Sequence, residues 1–63
     1  MTDSQARTLN RGDEVRYTDE DFDLVGTVIE VSDTSIGVLV EFYSSEGEGS
    51  AFSEDLTLFR RAL

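Results

Sequence analysis

At 63 residues, with no cysteine and no histidine, the chain is long enough for one domain only, and it lacks the disulfides or Cys/His zinc ligation that often support so small a core. Fourteen acidic residues against five arginines give a net charge of −9, so the molecule as a whole repels nucleic acid and anionic membrane. Without lysine, histidine or cysteine, the usual nucleophile and base pairings are absent. Neither an enzyme nor a metal or cofactor site is expected.

Residues 1–10 are polar and aperiodic and read as a flexible N-terminal arm ahead of a domain spanning 11–63. The arm has no apolar leader core, and no segment approaches the ~20 apolar residues that span a bilayer, so a cytoplasmic location is expected. Gly12-Asp13 is a turn pair, and Glu14-Val15-Arg16-Tyr17-Thr18 alternates with the period of a half-buried strand. Asp19-Glu20-Asp21-Phe22-Asp23 packs four carboxylates into five residues and reads as a solvated loop anchored by Phe22.

Residues 24–31 are rich in β-branched side chains and predict the longest strand, with Gly26 marking a bend or a close backbone approach. Ser32-Asp33-Thr34-Ser35 is a turn cluster, and residues 37–43 form a second strong strand that pairs with the first as a hairpin. Alternation directs Val38, Val40 and Phe42 to the core and Leu39, Glu41 and Tyr43 outward. Residues 44–50 read as a flexible acidic loop before a short strand at Ala51-Phe52. Ser53-Glu54-Asp55-Leu56 supplies one helical turn, with Ser53 as its cap, and Thr57-Leu58-Phe59-Arg60 closes as a last strand.

The predicted fold is all-β: a small five-stranded barrel with one short 3-10 turn before the last strand. With Gly12-Asp13-Glu14-Val15 opening it, Gly26-Thr27-Val28 and Gly37-Val38-Leu39-Val40-Glu41-Phe42 in the central hairpin, and Phe52 with Glu54-Asp55-Leu56 near its end, the chain resembles the SH3-like barrels of the Tudor and KOW kind. That resemblance covers residues 12–60 and concerns architecture, because the fold hosts many unrelated binding roles.

Three features are candidates for function. Asp19, Asp21 and Asp23, with Glu30 eleven residues after Asp19, imitate the oxygen spacing of a calcium loop. Leu24 stands where that loop requires glycine, and a strand follows where it requires a helix, so a solvated acidic loop is favoured. Tyr17, Phe22, Tyr43 and Phe59 are the aromatics available outside the core, with Phe42 and Phe52 expected inside. Tudor-like folds gather such rings into a cage that recognises methylated lysine or arginine; the rings can equally shield a small core.

The third feature is the set Arg11, Arg16, Arg60 and Arg61, brought to one side if the first and last strands are neighbours. It offers a nucleic-acid-binding patch, or simply ion pairs with surrounding carboxylates. The leading expectation is a non-enzymatic protein-interaction module that meets a basic protein partner through an aromatic and acidic face (Tyr17, Asp21, Phe22, Asp23, Glu41, Tyr43) or through a sheet edge. Nucleic-acid binding through the arginines and an acidic DNA-mimic inhibitor are the alternatives. The acidity itself has two explanations, a high-salt cytoplasm or, for the lysine-free composition, a GC-rich genome.

Overall fold

The computed structural model describes all 63 residues. Five antiparallel strands, β1 (Glu14–Thr18), β2 (Asp23–Thr34), β3 (Gly37–Ser44), β4 (Gly47–Phe52) and β5 (Leu56–Arg60), form one sheet in the order β4-β3-β2-β1-β5. A single 3-10 turn, Ser53–Asp55, links β4 to β5. This all-β arrangement is compatible with an SH3-like fold, but the ring of hydrogen bonds is not closed. β4 and β5 are the two edges, and the 3-10 turn carries the chain from one to the other. No helix is long and apolar enough to cross a membrane.

Alternation sets the inner face. Val38, Val40 and Phe42 of β3 are buried together with Val15, Val28, Ala51 and Leu56. β2 follows the same period up to Val28, opposite Phe42; the register then slips so that Glu30 stands opposite Glu41 and Val31 opposite Val40. The extra residue, Ile29, makes a bulge that bends this longest strand and curls the sheet around its core. At Gly26 the close approach is literal. A Cβ there would lie within the van der Waals envelope of the Phe42 ring, 3.0 Å from Cγ.

The strands run further than expected. β2 continues to Thr34, which pairs with Gly37, so Ser35 and Ile36 make the turn. Thr34 Oγ1 donates to the Gly37 carbonyl (2.7 Å) and accepts from the Ile36 amide (3.3 Å). Residues 47–50, expected as flexible loop, belong to β4, in register with Ser44, Tyr43, Phe42 and Glu41 in turn. Their glycines lower intrinsic strand preference, but β3 supplies a ladder that outweighs it.

The first ten residues, expected as a flexible arm, pack against the sheet. Asp3–Ala6 is a helical turn (α1) with a capping box: the Gln5 amide donates to Thr2 Oγ1 (3.1 Å), and the Thr2 amide to Gln5 Oε1 (2.8 Å). Ala6 is fully buried and Leu9 nearly so, and both belong to the nine-residue core. The Ser53 hydroxyl, expected to cap its own turn, donates instead to the Asp3 carboxylate.

Gly12, at φ +99°, makes the turn that delivers Asp13. Asp13 is 1% exposed, and its carboxylate accepts from the Asn10 amide (2.8 Å), the Ala62 amide (2.8 Å) and Arg61 Nη1 (3.3 Å). One buried acid thereby ties the N-terminal segment to the residues after β5.

Candidate functional site

The acidic loop between β1 and β2 is ordered by one of its own carboxylates. Asp19 Oδ1 accepts from the amides of Asp21 and Phe22, both at 2.7 Å, and the Asp19 amide donates to the Phe22 carbonyl at 2.9 Å. Asp19 Oδ2 accepts from the Tyr17 hydroxyl at 2.9 Å. An aspartate opening a tight loop characteristically binds amides two and three residues on, and here that habit fixes Phe22 and Tyr17 relative to each other. The two-residue turn from β3 into β4 is held similarly: Ser44 Oγ accepts from the Glu46 amide (3.2 Å) and donates to the Gly47 carbonyl (3.3 Å).

These two connections lie at the same end of the sheet and enclose a groove of about 340 Å³. Tyr17, Phe22, Leu24 and Phe42 form its apolar surface; Asp19 and Glu46 are its acidic residues, Glu48 borders it from β4 with its side chain on the face of its ladder partner Tyr43, and no cation lines it. Gly49 stands opposite Phe42 across the β3–β4 ladder, and a Cβ there would lie 3.5 Å from Phe42 Cε2, so the missing side chain leaves room above the ring.

Hydrogen bonds from the Asp21 amide, the Tyr17 hydroxyl and the Phe22 amide hold the Asp19 carboxyl below its ordinary pKa, against the opposing effect of burial. The Tyr17 phenol is pushed up, first by its hydrogen bond to Asp19, then by the charge of Asp19, by burial and by the charge of Asp55. At neutral pH the groove therefore holds a neutral phenol beside an ionised carboxylate. Such a site suits a cation on an apolar stem, which can lie against rings while its charge meets the carboxylates.

The register divides the expected binding residues between two faces. Tyr17 and Phe22 line the groove, and Asp21 is exposed on the same loop. Asp23, Glu41 and Tyr43 point to the opposite face: Asp23 stands across from Thr18, and Glu41 and Tyr43 flank the inward Phe42. Asp23 is engaged there by Arg16, Nε to Oδ1 at 2.7 Å and Nη2 to Oδ2 at 2.5 Å. This contact lowers the Asp23 pKa and raises that of Arg16. Tyr43 is 59% exposed, while Phe59 is on β5, away from the groove, with the Arg60 guanidinium 5.9 Å from its ring centre.

Four of the five arginines are paired. Arg7 meets Asp33 at 3.0 Å, Arg16 meets Asp23, Arg60 meets Glu14 at 3.7 Å, and Arg61 meets Asp13 at 3.3 Å. Arg11 is exposed and in no ion pair. β1 and β5 are neighbours as expected, but Arg16 is turned towards Asp23 and the acidic loop. The calcium-like set does not assemble: Asp19 is committed to amides and Tyr17, Asp23 to Arg16, and no three carboxylates come together as a metal-holding group.

Sequence reasoning missed the organising role of Asp19 and the contributions of Leu24 and Glu46 to the groove. The Asp-x-x-Phe spacing of a side-chain-closed turn was the available signal for Asp19. For the other two no local signal exists, since their proximity depends on strand register. No protein-family model, no curated protein and no solved structure matches this chain.

Proposed function

We propose that the chain is a non-enzymatic protein-interaction module, whose groove between the β1–β2 loop and the β3–β4 turn receives a cationic side chain from a basic protein segment. The observation that carries this reading is the convergence of Tyr17, Phe22, Leu24 and Phe42 with the acidic residues Asp19 and Glu46 and no cation. An anionic ligand would meet like charge there. An apolar one would leave the carboxylates facing it without a partner. Asp19 supports the reading by presetting Tyr17 and Phe22, which reduces the ordering cost on binding.

Within the SH3-like folds this is the manner of the Tudor-like kind, with methylated lysine or arginine as the most specific form of the ligand. The nucleic-acid alternative has less support, because Arg16, Arg60 and Arg61 are already paired with carboxylates. The test is an NMR titration with short Arg- and Lys-rich peptides, unmethylated and methylated, with duplex DNA as a parallel arm. Shifts are expected at Tyr17, Phe22 and Gly49, and Phe22→Ala is expected to weaken binding about tenfold, the loss of one cation–π contact. Response to DNA alone, centred on Arg11 and Arg60, would overturn the proposal, as would silence of the groove towards every peptide.

A further inference from the structure

The groove has residues 47–50 along one wall, and a second hollow of about 240 Å³ is lined by Ile29, Glu41, Glu48, Gly49 and Ser50 on the opposite face of the sheet. Residues 48–50 therefore stand between the two. They belong to β4, which pairs with β3 alone and is an edge of the sheet. The other edge is covered: Met1, Gln5 and Leu9 lie against Thr57, Leu58 and Arg61 beside β5. Along β4, no backbone hydrogen bond reaches Glu48 or Ser50 from the open side.

The alternation of an antiparallel ladder decides what this edge offers. The turn closed by Ser44 and Gly47 makes Phe42–Gly49 and Val40–Ala51 the hydrogen-bonded pairs, so the amides and carbonyls of Glu48 and Ser50 point to the free edge. A strand laid there would place its side chains alternately on the two faces. The residue opposite Gly49 would turn towards the Phe42 ring. Gly47 and Gly49 are the inward residues of this stretch, so no β4 side chain stands in its way. Its neighbours, opposite Glu48 and Ser50, would lie on the outer face beside Glu41 and Glu48. Neither of these carboxylates is in an ion pair, and Glu30, equally unpaired, stands opposite Glu41. Both faces of the edge are acidic, and no cation lines either hollow.

We infer that β4 receives an extended basic segment of a partner protein as a sixth strand, with one cationic side chain in the groove and an adjacent one on the outer face against Glu41 and Glu48. Binding of this kind rests on the proposed role of the groove. It adds the partner's conformation and the spacing of its charges: cations at neighbouring positions, one for each face. Backbone hydrogen bonds along the edge supply affinity, and the two acidic faces supply selection. A second copy of this chain is a poor occupant, because Glu48 would meet the surface of another molecule at −9.

NMR titration of the full chain with short peptides of threonine and valine around two arginines tests this. In one peptide the arginines are adjacent, in a second they are separated by a single residue, and in a third they are adjacent with both their amides N-methylated. The adjacent pair is expected to shift Tyr17 and Phe22 and to slow amide exchange at Glu48 and Ser50. The separated pair places both charges on one face and is expected to bind about threefold more weakly. One of the two arginine amides pairs with the edge in either register, so N-methylation is expected to weaken binding about tenfold. Glu41→Gln should lose about threefold for the adjacent pair and nothing for a peptide with a single arginine. Shifts at Tyr17 and Phe22 without slowed exchange at Glu48 and Ser50 would overturn the strand addition and leave the groove as a cation site. Indifference to N-methylation, or equal binding of the two spacings, would do the same. Silence of the groove towards every peptide would overturn both.

Discussion

Asp13 shows how much one side chain carries in a protein this small. Its carboxylate is held below the ordinary value by the Ala62 amide first, then the Asn10 amide, with Arg61 reinforcing and burial opposing. The folded-state pKa therefore lies under the unfolded value of about 3.9. The resulting stabilisation is fully present above that unfolded value and is lost as pH falls through the lower, folded one. Asp13→Asn keeps the shape and removes the charge. It is expected to lower the melting temperature at pH 7 by roughly 5–10 °C and to flatten the decline on acidification; melts from pH 7 to pH 2 read both effects. Asp19 and Asp23, whose pKa values are also lowered, leave a shallower acid slope in the variant. Tyr17 has the opposite sign: its raised pKa contributes below the unfolded phenol value of about 10 and is lost as pH rises through the higher, folded one.

At the scale of elements, the short helix and the segment after it do what the strands alone do not. The sheet is open between β4 and β5, and Ala6 and Leu9 join the core that it leaves uncovered. A four-residue helix with one buried alanine shows no apolar stripe, so periodicity passed over it. Leu9→Ala is expected to cost about 2–3 kcal/mol in urea unfolding, the loss from truncating a buried leucine; an effect near zero would place residues 1–10 outside the cooperative unit. Strand faces were legible, because the two-residue period is a local property: Val38, Val40 and Phe42 are inward as read. The extent of β4 was not, since Gly47-Glu48-Gly49-Ser50 has the composition of a loop and becomes strand through pairing with β3.

For the whole molecule, charge governs behaviour in solution more than architecture. With fourteen acids and five arginines, four of the latter already in exposed or partly exposed pairs, much of the acidic surface remains unneutralised. Self-repulsion of this kind destabilises the compact state, and salt relieves it. The melting temperature is expected to rise by about 5 °C or more between ~10 mM and ~1 M KCl. A flat or falling dependence in thermal melts would mean that the surface pairs, which salt weakens, outweigh the repulsion.

By itself the chain of residues determined the all-β class, the inward set on β3, the tight approach at Gly26 and the acidic exterior. Each follows from local alternation, steric size or composition. Tertiary structure alone decided that Tyr17 and Phe22 share a groove with Glu46 while Tyr43 and Glu41 face away, that Ala6 and Leu9 are core, and that three arginines of the expected patch are paired. Those outcomes depend on register and on contacts between residues far apart in the chain. A one-residue slip exchanges the two faces of a strand, and no local pattern in this sequence sets the number of residues that separate one strand's partner from the next.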